Sequence, residues 1–260
     1  MAPTISFLLI IFFSTITFIS SKSVLRLPSE NDLSGGVHKV REDDELYCDS
    51  WRVAVETNNV GPWKSVPARC VSFVAEYMTG ERFSSDSKVI GEVSSEFAKS
   101  VELNGEGRDA WVFDIDETLL SNVPYYEING FGKEIFNETS FDDWVNLAEA
   151  PALPASLSLY NELLELGFRV FLLTGRSEHQ RNATETNLLL AGFDRWERLF
   201  LRGSSDQGKS AIVYKSEKRA ELVEEGYRIH GSSGDQWSDL WGHAVASRSF
   251  KLPNPMYYIP

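Results

Sequence analysis

Ala110-Trp111-Val112-Phe113-Asp114-Ile115-Asp116-Glu117-Thr118 is the stretch that decides the fold. Residues 110–115 are apolar except for Asp114, too short a run for a helix and flanked by polar chain, which predicts a buried strand. Two carboxylates left at the end of such a strand require a compensating cation, so Asp114 and Asp116 are candidate functional residues from the outset.

Working outward, the same pattern recurs. Phe168-Arg169-Val170-Phe171-Leu172-Leu173 predicts a second buried strand, Arg198-Leu199-Phe200-Leu201 a third and Tyr227-Arg228-Ile229-His230 a fourth. Between them lie helical patterns over 157–166 (closed by Gly167), 177–190 and 215–225 (ended by Gly226). Strands alternating with helices predict an α/β fold, a Rossmann-like parallel sheet with helices on both faces. In such sheets ligands bind at the carboxyl ends of the strands. The polar clusters fall at those ends: Asp114 and Asp116 after the first strand, Thr174-Gly175-Arg176 after the second, and Gly234-Asp235 through Asp239 after the fourth. Lys215 opens the helix before the fourth strand in this reading, and is preferred over Lys209 and Lys218.

That set has a specific chemistry. Asp114, Asp116 and Asp235 make an all-oxygen site suited to a hard cation, Mg²⁺ first. Asp114 can attack phosphorus and form an acyl phosphate. Asp116 is placed to protonate the leaving group and then deprotonate water. Thr174 and Lys215 can hold the oxygens of a transferring phosphoryl group. Asp239 would orient Lys215 or a water of the metal's shell. Thr174 also reads as a helix N-cap, and Arg176 as a helix-start contact outside the primary set. Gly234 reads as a tight-turn residue, His179 and His230 as satisfied histidines, and Trp237 with Trp241 as packing. Tyr125, Tyr126, Phe131 and Trp144 lie in a long irregular segment where a specificity pocket would form.

The order DxDxT, Thr, Lys, GDxxxD resembles the haloacid dehalogenase superfamily. FDIDETLLSN, LLTGR, YKSEKRAEL and GSSGDQWSDL together resemble the plant acid phosphatase and vegetative storage protein family, related to class B acid phosphatases, over residues 45–260. The resemblance implies a Mg²⁺-dependent phosphatase acting on small phosphate monoesters, secretion or vacuolar deposit, and homodimerisation. It also implies that storage-type members with Ser at the nucleophile position are nearly inactive, whereas this chain carries Asp114. The alternative is a vegetative storage glycoprotein with incidental activity. A nucleotide-sugar transferase would use a DxD but leaves Lys215 and the GDxxxD element unexplained. Arg-His-Gly and Gly-Asn-His elements of two other phosphatase chemistries are missing from the sequence.

The 260 residues carry a formal charge of −13, which argues against nucleic acid or an anionic membrane as partner. A phosphate must therefore be captured by local positive groups. The apolar run Phe7 to Phe18 predicts a signal peptide over 1–23, directing the chain to the cell exterior, wall or vacuole with no membrane contact after cleavage. An uncleaved anchor is the alternative, because no Lys or Arg precedes the run. Residues 24–45 read as an extended arm. Residues 46–105 read as a helical extension, with apolar stripes at Val71, Val74, Tyr77, Met78 and at Ile90, Val93, Phe97, Val101. The phosphatase domain would span 106–260. Cys48 and Cys70, the two cysteines, predict one disulfide in an exported chain. Asn137-Glu138-Thr139 and Asn182-Ala183-Thr184 are glycosylation sequons.

Overall fold

The apolar run around Trp111 becomes β1 (Asp109–Phe113), every residue of which is buried. The computed structural model describes residues 37–260, so the expected signal peptide and most of the expected arm lie outside the described residues. Strands β2 (Arg169–Ser177), β3 (Arg198–Arg202), β4 (Arg228–Gly234) and β5 (Arg248–Lys251) join β1 in a sheet of order β3-β2-β1-β4-β5. Each neighbouring pair is parallel. The order reverses between β1 and β4, and that crevice is where a doubly wound sheet binds its ligand.

Alternation along the strands assigns the two faces. Trp111, Phe113, Val170, Leu172, Leu199 and Leu201 share one core with α6 (Pro154–Leu166) and α7 (Arg181–Leu190). Ala110, Val112, Phe171, Leu173 and Phe200 share another with Tyr214 and Leu222 of α8 (Ala211–Glu224). Both faces are thus covered, which explains why the strands read as nearly continuous apolar runs.

The β4 strand runs further than its apolar residues suggest, through Gly231-Ser232-Ser233-Gly234. The reason is Trp111. A Cβ on Gly231 would lie 2.4 Å from the indole, so only glycine fits beside it. The indole Nε1 donates to Ser233 Oγ at 3.0 Å, so the serine is satisfied within the core. β5 escapes sequence reading altogether because Arg248, Ser249 and Lys251 surround a single buried Phe250.

Among the described residues, three α-helices precede the sheet: α1 (Val37–Glu56), α2 (Val71–Thr79) and α3 (Glu81–Ser100). The arm expected over 24–45 is therefore helical from Val37 onward. Glu, Lys and Arg are good intrinsic helix formers, so the helix runs on to the N-terminal side of the buried Cys48. A disulfide joins Cys48 to Cys70 across 22 residues. Both stripes of the extension are used: Val74, Tyr77 and Met78 are buried, while Ile90, Val93, Phe97 and Val101 pack against the Trp111 core. The segment after β1, read as irregular, contains α4 (Val123–Ile128) and α5 (Glu138–Leu147). Tyr125, Tyr126 and Phe131 from it share a core with α2, Leu252 and Met256. Among the described residues no helix is long and apolar enough to cross a membrane.

Candidate active site

The carboxyl end of β1 is pinned to β4 before any side chain acts: Asp114 N donates to Ser233 O at 2.9 Å. The chain then folds over itself, with Thr118, Leu119 and Leu120 amides all donating to Ile115 O. Closing that turn forces Glu117 to φ +53°, a left-handed conformation uncommon for a side chain of its size. Strained backbone of this kind concentrates at working sites.

Asp114 is buried, and its Oδ1 accepts from Lys215 Nζ, which also donates to Asp239 Oδ1. Lys215 lies in the second turn of α8 rather than opening it, because the helix begins at Ala211 after the Ser210 cap. The rival lysines face elsewhere: Lys209 pairs with Asp206 and Glu217, and Lys218 with Glu221. One carboxylate oxygen from each of Asp114, Asp235 and Asp239 lies within 4.8 Å of the others. Asp239 comes this close because residue 234 is glycine; a Cβ there would sit 2.4 Å from the Asp239 Cβ. Its role is thus close packing rather than a left-handed turn.

Asp116 points to a different partner. Arg176 grips it through Nη2 at 2.7 Å and Nε at 3.1 and 3.2 Å, and Asn122 Nδ2 donates at 2.9 Å. The Arg176 and Asp116 side chains are 2% and 18% exposed, so this is a largely desolvated ion pair. Thr174 is fully buried, accepts from Arg176 N at 3.1 Å and lies 3.5 Å from Asp116 Oδ2. It does not cap a helix; Ser177 caps the short turn that leads into α7.

Charge and burial compete at each group. Burial drives the Asp114 carboxyl well above the usual range; Lys215 opposes this, and Asp239, Asp235 and Asp116 reinforce it. Burial, Asp239 and Glu117 push Asp235 up to about 7. Burial also acts to raise Asp116, but the Arg176 charge and hydrogen bonds outweigh it and hold this carboxyl below the usual range. Lys215 is held in its charged form by Asp114 and Asp239 in spite of burial. Glu117 is pushed up to about 7 by burial, although Tyr257 and Asn122 hydrogen-bond to it.

Four of the expected groups, Asp114, Lys215, Asp235 and Asp239, therefore converge in one cluster, with Asp116 and Thr174 in an adjoining one built on Arg176. Arg176, expected only as a helix-start contact, is instead the partner of Asp116, because two carboxylates on a buried strand end demand more than one cation. Asn122, Gln236, Asn254 and Tyr257 carry no signal in the sequence. Of the aromatic residues expected to form a specificity pocket, Tyr125 and Tyr126 line a cavity of about 160 Å³ with Phe136 and Tyr257. Phe131 is core, and Trp144 Nε1 donates to Asn122 Oδ1 at 2.8 Å. His230 is satisfied by Asp109 at 2.7 Å, at the opposite end of the sheet. Trp237 and Trp241 pack together at 4.8 Å.

The chain is similar to known proteins in sequence and in fold. Residues 34–260 match the family described as HAD superfamily, subfamily IIIB (acid phosphatase). Acid phosphatase 1 of Solanum lycopersicum is 56% identical over 83% of this chain and 85% of its own length. Vegetative storage protein 1 of Arabidopsis thaliana is 34% identical over 97% of each chain. The class C acid phosphatase from Bacillus anthracis superposes with a TM-score of 0.61 at 25% identity, covering 72% of this chain and 85% of its own. The chain belongs to the acid phosphatase subfamily IIIB of the HAD superfamily.

Proposed function

We propose that this chain hydrolyses phosphate monoesters through a phospho-aspartyl intermediate on Asp114, with Mg²⁺ as its cofactor. The observation that carries the reading is the buried Asp114 carboxylate, held by Lys215 at a strand end beside Asp235 and Asp239. In the first step an Asp114 oxygen bonds to phosphorus and the ester P–O bond breaks. The proton for the departing alkoxide comes from Asp116. Arg176 keeps that carboxyl ionised at rest, but an arriving phosphate adds like charge and shifts it toward the protonated form. In the second step water attacks phosphorus, Asp116 takes its proton, and the Asp114–phosphorus bond breaks to release phosphate. Thr174 and Lys215 position the phosphoryl oxygens.

The donor set fits a hard divalent cation. Three buried carboxylates against one ammonium leave uncompensated negative charge, and all the donors are oxygen. Asp114 and Asp235 would hold Mg²⁺, with Asp116 offering its main-chain carbonyl because Arg176 engages its carboxylate. The ion would supply charge neutralisation for phosphoryl oxygens. Asp239 remains with Lys215 and the Gln236 amide.

The disulfide supports export to an oxidising compartment, extracellular or vacuolar, after removal of the signal segment. Asn137 and Asn182 are exposed, and Asn137 caps α5 through Oδ1, leaving Nδ2 for a glycan. A storage role is the second reading, favoured by the likeness to vegetative storage protein 1. Purified protein should hydrolyse p-nitrophenyl phosphate at mildly acidic pH, lose activity to EDTA and regain it with Mg²⁺. A turnover near the uncatalysed rate would favour storage, and full activity in Asp114→Asn would exclude the covalent route.

A further inference from the structure

The segment that follows β5 is bound into the active site more tightly than a surface strand end requires. Leu252 N donates to Gly234 O at 2.9 Å, so the chain leaves β5 directly alongside the Asp235 turn. Asn254 is 1% exposed. Its Nδ2 donates to Asp235 Oδ2 at 2.8 Å, its Oδ1 accepts from Met256 N at 2.9 Å, and its own N donates to Glu56 Oε1 at 2.9 Å. Gln236 Nε2 donates to the same Asp235 Oδ2 at 2.7 Å. Two amide donors thus occupy one oxygen of this carboxylate. The other, Oδ1, has the Thr118 hydroxyl at 3.3 Å.

The segment itself is anchored on elements that have no part in the chemistry. Glu56, the last residue of α1, accepts from Lys251 Nζ at 2.6 Å as well as from Asn254 N. Met256 is fully buried, and its carbonyl lies where a Cβ on Gly132 would be, at 1.8 Å. Ile259 N donates to Gln236 Oε1 at 3.0 Å, which fixes the orientation of the second amide.

We propose that Asn254 is a positioning residue for the metal carboxylate: by fixing Asp235 Oδ2, it holds the carboxylate in one orientation, leaves Oδ1 free of amide donors and preorganises the Mg²⁺ site. The inference rests on the Mg²⁺ reading of the site. A carboxylate that is not held rotates between orientations, and the ion must then select the competent one at a cost in affinity. Hydrogen bonds that orient a metal ligand typically change affinity by roughly 10–100-fold when removed.

The test is Mg²⁺ binding by the full chain, measured by isothermal titration and by the Mg²⁺-dependent rise in Tm. Asn254→Ala removes the donor. Asn254→Ser also removes it, being too short to reach Asp235, but can still accept locally from the Met256 amide, so it carries the test if the alanine variant does not fold. Both are expected to weaken Mg²⁺ binding by about 10–100-fold, with kcat recovering at saturating Mg²⁺. Lys251→Met removes one contact to Glu56 but leaves the Asn254 N–Glu56 and Asn254–Asp235 bonds in place, and should change Mg²⁺ affinity by less than about 3-fold. Unchanged Mg²⁺ affinity in Asn254→Ser, or an equal loss in Lys251→Met, overturns the proposal while the metal reading stands. Absence of Mg²⁺ binding by the wild type overturns both.

Discussion

Arg176→Met tests whether the ion pair with Asp116 is as desolvated as its geometry indicates. The variant keeps the length and apolar bulk of the side chain and deletes three contacts to Asp116, at 2.7, 3.1 and 3.2 Å. At a separation near 3 Å and an effective dielectric constant of about 20, the gross attraction is about 5–6 kcal/mol. Asp116 is not fully enclosed and can take up a proton, so the expected loss of stability at pH 7 sits near the low end of the range for a broken buried pair, about 3 kcal/mol. The pH dependence has a definite sign. Arg176 depresses the Asp116 carboxyl in the folded state, so its contribution is present above the unfolded value of about 3.9 and is lost as pH falls through the depressed one. The gap between wild type and variant should therefore narrow as the solution is acidified. Urea unfolding midpoints, read with Asp116→Asn and the double variant, give the coupling energy, expected at about 2–3 kcal/mol. A loss below about 1 kcal/mol with additive single variants would refute the argument, since that is the behaviour of an exposed pair.

Gly231→Ala should unfold the protein or trap it in inclusion bodies, because the new methyl would meet the Trp111 ring at 2.4 Å; a soluble variant with an unchanged Tm would disprove the close approach. Reducing the Cys48–Cys70 bond, or replacing both cysteines with serine, should cost about 3 kcal/mol in a urea melt for a loop of this size, and an unchanged midpoint would count against a structural role.

Legibility followed burial. Asp114, Asp116 and Thr174 are legible because each stands at the end of an apolar run, and Lys215 and Asp235 because they flank the fourth such run; the parallel-sheet rule then assigns them to one edge. The end of β4 was invisible for the opposite reason: Gly231, Ser232 and Ser233 have poor strand propensity, and only the neighbouring Trp111 indole explains them. Lys215 stands one turn inside its helix rather than at its start because Ala211 to Tyr214 extend the helix beyond its charged stretch. Arg176 is not legible as a site residue because a guanidinium after a strand has many uses, and its partner is 60 residues away. Asn254 and Tyr257 reach Asp235 and Glu117 only because β5 returns the chain to the sheet edge, a pairing that a single buried Phe250 cannot announce.

Covalent catalysis here turns on one bond, from an Asp114 oxygen to phosphorus. Rapid quenching during turnover of an aryl phosphate, followed by borohydride reduction, converts an aspartyl phosphate to homoserine, and peptide mass spectrometry locates it. Homoserine is expected at position 114 in wild type, dependent on substrate and lost in Asp114→Asn. Turnover with the modification at another residue, or continued turnover with none at all, would contradict it.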